Sequence, residues 1–429
     1  MISYIIADPY RNPFRFNNEI YLLMFKKAFV FIGICILSGF SLFHSGCAGS
    51  GEQQQQRPAP VELRGVWITQ HDRVLETRES IANAMQFLAD HNFNVVFPVV
   101  WTNGMTLFPS TTMNVLFGIE IDTLAAYKGR DPLAEVIEEA HKRNIAVIPC
   151  FEGGFSAGDS ESVIIRSKPH WAARDRANKI AVKDGVAWLN AFLPEVQNFM
   201  FAIIGEVVQK YDIDGVQGGT RLPAQPIEAG YDSVFAAEYT ELHAGTPPPL
   251  DINEKHWKFW RAVRLNTFAR QVYWKVKATK PGAVVSWSPF AYPWSLDEYL
   301  QDWRIWISKS PDGEYSADIM HPRIFRYDIE SYKRTLASQH RDSIRIHSEK
   351  RYMYPGILLQ DKSFSMTDDF LTEGVRFNRY LGYNGEVFYS YEGLRKDNGR
   401  LAKVLKSTHY RLPARLPFTP SSRKNISGP

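Results

Sequence analysis

The most constraining feature of this chain is a regular alternation of short apolar runs with helix-like stretches between Leu63 and about Lys406. Several of the eight runs, such as 95–101, are apolar without alternation, as expected of parallel strands that are buried on both faces. Eight strand and helix pairs in succession predict an α/β fold of the (β/α)8 TIM-barrel type. The predicted strands are 63–69, 94–101, 145–152, 214–218, 283–289, 317–325, 354–360 and 386–391.

Two predicted connections are longer than the roughly 2–6 residues that usually join a strand to a helix. They run from Gly153 to Pro194 after the third strand and from Arg221 to Glu254 after the fourth, and both follow the carboxyl end of a strand. Because TIM-barrel enzymes build their sites on that face, these long loops predict a substrate cleft there.

The first 47 residues are predicted to be a targeting segment and not part of the fold. Two lysines precede an apolar run over 28–43, which ends in Ser45-Gly46-Cys47. This run is shorter than the roughly 20 residues of a membrane span, and small residues before a cysteine resemble the lipobox of bacterial lipoproteins. We expect a signal peptide over 1–47, with Met24 as an alternative start, and lipidation of Cys47. An uncleaved membrane anchor and an incidental cysteine are the alternatives.

Composition sets the remaining domain boundaries. Residues 48–60 are rich in Gly, Ser, Gln and Pro, cannot bury apolar surface and therefore predict a flexible tether. Residues 61–410 are predicted to form one barrel domain, and 411–429 a C-terminal tail. We expect an exported protein, held by its lipid at the cell envelope, in the periplasm or on the outer-membrane surface.

Several function classes are disfavoured by the sequence. Lys and Arg number 50 against 46 Asp and Glu, and no basic run is interleaved with aromatic residues, so nucleic acid is not an expected partner. Cys150 is the only cysteine after Cys47, which excludes an internal disulfide or a cysteine-based metal site in the domain. There is also no glycine-rich phosphate loop, so we expect no nucleotide cofactor. No two His, or His and Asp, fall at a spacing that one strand or one helical turn would present together, so we expect no catalytic metal.

Five motifs occur in order along the predicted barrel: Leu63-Arg64-Gly65-Val66-Trp67, Asp131-Pro132-Leu133, Glu139-Ala140-His141-Lys142-Arg143, Tyr211-Asp212-Ile213-Asp214-Gly215-Val216 and His321-Pro322-Arg323-Ile324-Phe325-Arg326-Tyr327. Together they resemble the glycosyl-hydrolase-like 10 family, also known as domain of unknown function 187, a group of exported and often lipid-anchored barrels. The resemblance implies a (β/α)8 fold that hydrolyses or binds glycans, so the expected substrate is an oligo- or polysaccharide of the cell envelope or another polysaccharide.

The chain departs from this family after the fourth strand. Members commonly carry a pair of aspartates there, and this chain has Gly219 and Thr220 at the corresponding positions. Most glycosidases need two carboxyl groups across the scissile bond, one to protonate the leaving oxygen and one to act as nucleophile or to activate water. The departure therefore removes the obvious catalytic pair.

Two glutamates are the remaining catalytic candidates. Glu152 lies at the predicted mouth of the third strand beside two glycines, and Glu392 occupies the equivalent position on the eighth strand. The alternative is that each pairs with an arginine, such as Arg64 or Arg323, inside the barrel mouth.

Side chains at other strand ends are candidates for sugar binding, because flat aromatic rings can stack on sugars and polar groups can bind hydroxyls or an acidic sugar. Core filling by Trp287 and a structural role for His321 are the alternatives. The candidates are Trp101, Gln217, Arg221, Trp287, Tyr292, His321, Arg323 and Tyr391.

Three functions agree with these features. The first is a glycoside hydrolase, and the second is a catalytically impaired glycan-binding lipoprotein that lost hydrolysis with the aspartate pair. The third is an envelope scaffold whose partner is a protein. The fold-level part of this interpretation rests on analogy.

Overall fold

The computed structural model describes residues 58–308, 315–346 and 353–420, without the side chains of 342–346. The predicted signal peptide, Cys47 and the tether up to residue 57 lie outside the described residues. No helix in the described ranges is long and apolar enough to cross a membrane.

Most strands of the described chain belong to two parallel sheets. The strands are β1 (Leu63–Ile68), β2 (Val95–Pro98), β3 (Trp101–Thr102), β4 (Met105–Thr106), β5 (Ala146–Val147), β6 (Cys150–Phe151), β7 (Ser156–Gly158), β8 (Val182–Lys183), β9 (Val186–Trp188), β10 (Gly215–Gly218), β11 (Val284–Trp287), β12 (Ile319–Met320), β13 (Gly356–Leu358) and β14 (Gly385–Tyr389). One parallel sheet has the order β13-β14-β1-β2-β5, and the other has the order β12-β11-β10-β6.

Each predicted strand range overlaps an observed strand of these two sheets, so the prediction of parallel strands is confirmed. The third predicted strand is divided into β5 and β6. Pro149 lies between the two pieces, and it has no N–H to donate to a neighbouring strand. Isolated parallel bridges link the two sheets at Val99 with Cys150, Met320 with Met353, and Arg323 with Gly356.

Helices follow most of the parallel strands along the chain. They are α1 (Arg78–Asp90), α2 (Thr111–Phe117), α3 (Pro132–His141), α4 (Val163–Ser167), α5 (Pro194–Lys210), α6 (Ser233–Leu242), α7 (Lys255–Thr279), α8 (Trp294–Tyr299), α9 (Ile329–Ile346), α10 (Asp368–Tyr380) and α11 (Tyr391–Ser407). Non-helical backbone interrupts α11 from Lys396 to Gly399.

The sequence sets the helix starts by capping. Asp131 accepts a hydrogen bond from the Ala134 N–H at the start of α3. Pro132 occupies the first helical position, where a backbone N–H would have no partner within the helix, so the lack of an N–H in proline costs no hydrogen bond. Thr367 caps α10 in the same way through the Phe370 N–H. These local signals fix where two of the crossovers turn back along the sheets.

The apolar core has two parts. The larger cluster packs helices against the strands, and a smaller cluster collects side chains from strands of both sheets. The smaller cluster includes Trp67 and Val99 together with Val284 and Ile319 from the other sheet. Burial on both faces explains why the strand sequences are apolar without alternation.

The long connections after the third and fourth predicted strands contain their own secondary structure. The first carries the antiparallel sheet β7-β9-β8, and the second carries α6. Within the predicted tail, Arg415 forms a bridge with Val61 and backbone hydrogen bonds with Pro60 and Glu62. Arg415 of the predicted tail thus pairs with the last residue of the predicted tether and with the first residues of the predicted barrel domain.

Candidate active site

A cleft of about 830 Å³ opens at the carboxyl ends of the parallel strands. This volume is in the upper part of the roughly 300–1,000 Å³ range of small-molecule sites, which suits an extended ligand. The lining comes from strand ends of both sheets and from the turn between β8 and β9. It includes Thr69, Gln70, His71, Val99, Thr102, Asn103, Glu152, Asp184, Val186, Thr220, Arg221, Phe290, Arg323, Phe325, Arg326, Tyr327, Asp328, Ser331, Leu358, Asp361 and Tyr389.

Glu152 forms an ion pair with Arg323 in this cleft. Arg323 Nη2 donates to Glu152 Oε2 at 2.5 Å, and the two side chains are only 6% and 14% exposed, respectively. Thr220 Oγ1 donates to the other carboxylate oxygen, Oε1, at 2.8 Å. Because both oxygens accept hydrogen bonds, the carboxylate is held in one orientation.

Arg323 is itself held by its surroundings. Its Nε donates to Ser288 Oγ at 3.1 Å, and its guanidinium carbon lies 5.1 Å from the ring centroids of both Trp67 and Tyr389. Burial alone lowers the pKa of Arg323, but the charge of Glu152 raises it, and the net shift is upward. The guanidinium therefore remains a fixed positive charge beside Glu152.

Gly219 leaves the space that the Glu152 side chain occupies. A Cβ atom added at Gly219 would lie 2.2 Å from Glu152 Oε2 and 2.5 Å from Glu152 Cα. Real Cβ contacts are longer than this, so no side chain fits at 219 while Glu152 keeps its position. The carboxylate of Glu152 thus lies where a side chain of residue 219 would begin.

A buried thiol lies beneath the ion pair. Cys150 Sγ is 3.8 Å from Glu152 Oε2, and burial raises the pKa of this thiol well above its ordinary value. The neutral thiol is a weak donor to the carboxylate and is not suited to act as a nucleophile.

The other cleft carboxylates are exposed and bind neighbouring groups. Asp184 accepts from the Tyr299 hydroxyl. Asp328 accepts from the Ser331 N–H at 2.7 Å in the first turn of α9. Asp361 accepts from the Tyr327 hydroxyl at 2.5 Å, which lowers the pKa of this carboxyl group. Among the described residues of the cleft, Glu152 is therefore the one carboxylate that is largely shielded from solvent.

Three of the predicted site residues line this cleft: Glu152, Arg221 and Arg323. Of the two arginines considered as partners of Glu152, Arg323 pairs with it, whereas Arg64 pairs with Glu62 at 2.7 Å. Arg221 Nε is buried and has no hydrogen-bond partner among the described residues. The structure thus brings together side chains from the third and sixth predicted strands and from the connection after the fourth.

Four predicted site residues are buried away from the lining of the cleft. The Nε1 atoms of Trp101 and Trp287 donate to the backbone oxygens of Gly154 and Ser316, respectively. Gln217 accepts from Trp67 Nε1 at 2.6 Å and donates to Ser286. Burial lowers the pKa of His321 to about 3, and its Nδ1 lies 3.1 Å from the Tyr354 oxygen. The residues concerned are Trp101, Gln217, Trp287 and His321.

The other three predicted site residues also lie outside the cleft lining in the described structure. Glu392 is in the first turn of α11 and pairs with Arg395 at 3.3 Å. Tyr391 is buried against Phe87. The ring of Tyr292 packs against the guanidinium of Arg304 at 3.7 Å, and this arginine is likewise outside the lining.

Sequence reasoning missed the aromatic lining of the cleft after β12 and at the end of β14. Phe325, Tyr327 and Tyr389 line the cleft, and two of them belong to the motif that begins at His321. The position of Phe325 at the end of the sixth predicted strand, and of Tyr327 just after it, was the available signal. No group of three or more His, Cys, Asp or Glu side chains in the described ranges is arranged to hold a metal ion.

Residues 62–358 match the model of the family described as Glycosyl hydrolase-like 10. Glycosyl hydrolase YngK of Bacillus subtilis strain 168 is 23% identical over an alignment of 398 residues, and the match covers 84% of this chain and 74% of the relative. Glycosyl hydrolase DigH of Escherichia coli K12 is 24% identical over an alignment of 341 residues, and the match covers 66% of this chain and 71% of the relative.

Solved structures of glycosidases share the fold. The glycoside hydrolase domain of PgaB (BpsB) from Bordetella bronchiseptica has a TM-score of 0.57 at 13% identity, covering 80% of this chain and 99% of that domain. The catalytic domain of beta-amylase from Paenibacillus polymyxa has a TM-score of 0.55 at 9% identity, covering 82% of this chain and 99% of that one. At these identities the likeness concerns the fold alone.

Proposed function

The chain belongs to the glycosyl hydrolase-like 10 family, and from this premise we propose that it is a glycoside hydrolase that cleaves a polysaccharide in the cleft beside Glu152. The observation that carries the proposal is the position of the Glu152 carboxylate in the space that a side chain at 219 would need. On this proposal, Glu152 supplies from the third strand a carboxylate that the family resemblance implies after the fourth strand.

The proposal includes closure of the two parallel sheets into one (β/α)8 barrel. The bridge between Val99, which follows β2, and Cys150 of β6 joins the two sheets on one side, and the bridges at Met320 and Arg323 join them on the other. In such a barrel the carboxyl ends of all strands converge on one face, which supports the cleft as the active site.

Glu152 is suited to act as the nucleophile or the base. A carboxylate whose two oxygens are oriented by an arginine and a threonine is positioned to attack the anomeric carbon or to activate water. Arg323 and Thr220 would act as positioning residues that aim the carboxylate. The ligand is an oligo- or polysaccharide of the cell envelope or a similar glycan.

A second function, glycan binding without hydrolysis, is favoured by one observation. The exposed cleft carboxylates Asp184, Asp328 and Asp361 each hold a neighbouring group, so none is buried beside Glu152 as the partner that a two-carboxylate mechanism uses. A cleft with one shielded carboxylate can still bind sugars.

The test compares the purified protein with its Glu152→Gln variant on a panel of envelope and plant polysaccharides, with mass spectrometry of new reducing ends. We expect products from the wild type and a loss of turnover by a factor of about 10²–10⁴ in the variant. Glu135→Gln is the matched control, because Glu135 also pairs with an arginine at 2.5 Å, has the same 14% side-chain exposure and lies outside the cleft.

The outcomes separate the two functions. Products from the wild type and the control, together with intact binding but no products from Glu152→Gln, support hydrolysis at Glu152. Binding of a glycan by the wild type without products after prolonged incubation refutes the hydrolase and supports the binding protein. Because loss of Glu152 leaves Arg323 buried without its charge partner, thermal unfolding of each variant must accompany the assay.

We also propose that the domain is exported and attached to the membrane through a lipid on Cys47, which brings the cleft to envelope glycans. The signal-like run over 28–43 and the small residues before Cys47 support this location. Labelling with a fatty-acid analogue tests it: Cys47→Ala should remove the label and release the protein from the membrane fraction. A label that persists in this variant would contradict the proposal.

A further inference from the structure

An exposed aromatic side chain lies in the cleft apart from the ion pair of Glu152. Tyr327 lines the cleft and is 58% exposed. A large apolar ring in contact with water is informative when it belongs to a concave site, because such surfaces usually contact a ligand.

Tyr327 is held in place by two contacts. Its ring stacks on Phe364, with centroids 5.2 Å apart and planes 14° apart. Its hydroxyl donates to Asp361 Oδ2 at 2.5 Å, and Asp361 Oδ1 accepts from the Ser363 N–H and hydroxyl. One ring face is thus covered by Phe364, and the orientation is fixed before any ligand binds.

The open face of Tyr327 is a flat apolar surface next to the exposed polar groups of Asp328 and Asp361. A pyranose ring with equatorial hydroxyls matches it, because such a ring presents axial C–H groups on its faces and hydroxyls around its edge. Stacking on a preoriented aromatic ring loses little side-chain entropy, so it contributes to affinity efficiently.

We propose that Tyr327 is the stacking surface of a sugar-binding subsite that holds one equatorially substituted pyranose ring of the polysaccharide at a distance from Glu152. The proposal deepens the proposed function and rests on the cleft binding a glycan. Tyr327 follows Arg323 by four residues, which span at most about 14 Å when fully extended. A short oligosaccharide can therefore reach from the Glu152 ion pair to Tyr327.

Tyr327 contacts Phe364 and Asp361, whereas Glu152 contacts Arg323 and Thr220, so the proposed subsite predicts a dependence on ligand length. We expect a disaccharide bound beside Glu152 not to need Tyr327 and a longer oligosaccharide to occupy both positions. Removal of the ring should therefore weaken the binding of long ligands and leave the binding of short ligands unchanged. A purely structural role of Tyr327 would affect ligands of all lengths equally.

The experiment measures dissociation constants by calorimetry for the full chain with cello-oligosaccharides and chito-oligosaccharides from disaccharide to hexasaccharide. Tyr327→Ala should weaken the longest ligands by roughly tenfold and Tyr327→Phe by much less, because phenylalanine keeps the stacking face. Tyr380→Ala is the matched control: Tyr380 is 81% exposed and stacks on Phe377 at 6.0 Å, but lies on α10 outside the cleft.

Length-dependent weakening in Tyr327→Ala, with Tyr380→Ala unchanged, supports the subsite. Equal affinities of Tyr327→Ala and the wild type for the longest ligands would overturn it, as would a failure of the wild type to bind either series. The proposed hydrolysis can fail independently of this subsite, because calorimetry measures binding and the formation of products is measured in a separate assay. A wild type that binds both series but releases no new reducing ends would refute hydrolysis and leave the subsite standing.

Discussion

We expect Gly219→Ala to destabilise the folded protein by about 2–3 kcal/mol, near the upper end for overpacked sites. The added Cβ would lie 2.2 Å from Glu152 Oε2 and 2.5 Å from Glu152 Cα. Rotation of the glutamate side chain can relieve the first contact. The second involves backbone that directly follows β6, so it requires movement of the strand end and disturbs the ion pair with Arg323.

Urea unfolding followed by tryptophan fluorescence measures this difference, with Gly205→Ala as the matched control. Gly205 lies in α5, and an added Cβ there has no atom within 4 Å. Alanine is preferred to glycine in a helix, so the control should be more stable than the wild type by about 0.5–1 kcal/mol. A Gly219→Ala variant as stable as the wild type would refute the close approach of Glu152.

The same contact predicts the behaviour of a variant with the aspartates of the family restored. Gly219→Asp combined with Thr220→Asp adds a side chain where none fits and replaces the hydroxyl that donates to Glu152 with a second carboxylate. Like charges repel, so we expect Glu152 to move out of its ion-paired position. We expect this variant to be less stable than Gly219→Ala.

Two further predictions concern buried titratable groups. Burial raises the pKa of Glu386, but the charge of Arg379 and the hydrogen bonds from Arg379, Tyr410 and Asn378 together more than offset this, and the net pKa is lowered. The ion pair between Glu386 and Arg379 therefore stabilises the fold at pH values above the unfolded-state pKa of a glutamate, about 4.3. This contribution is lost as the pH falls through the lower folded-state pKa of Glu386. Glu386→Gln should reduce the free energy of unfolding by about 3 kcal/mol at roughly neutral pH and by less in acid. The control is Glu373→Gln, which breaks the more exposed ion pairs with Lys333 and Arg376 and should reduce the free energy of unfolding by less than about 1 kcal/mol. Urea titrations at several pH values test this, and a difference independent of pH would contradict it. Cys150, whose pKa is raised by burial, should resist iodoacetamide in the native protein and react after unfolding. Peptide mass spectrometry measures this, and equal rates in both states would argue against its burial.

The order of strands and helices could be predicted from the sequence because its signals are local. Uniformly apolar runs such as 95–101 mark strands buried on both faces, and Asp131-Pro132 marks a helix start. The main departure within a strand also has a local cause, since Pro149 lies between β5 and β6.

The direction of individual side chains was much harder to predict. A strand that is apolar on both faces has no alternation to indicate which residues face the cleft. Trp101, Trp287 and His321 were candidates for sugar binding, and each is buried outside the cleft lining. Tyr327 lines the cleft because it comes after the end of β12, beyond the buried part of the strand.

The sequence by itself determined the alternating architecture, the face that carries the cleft and the absence of carboxylates at 219 and 220. The tertiary structure alone decided which side chains meet there. Glu152 and Arg323 are 171 positions apart in the chain, and their contact depends on the packing of strands from different βα units. Such contacts are set by the register and convergence of whole strands, which no local pattern of residues encodes.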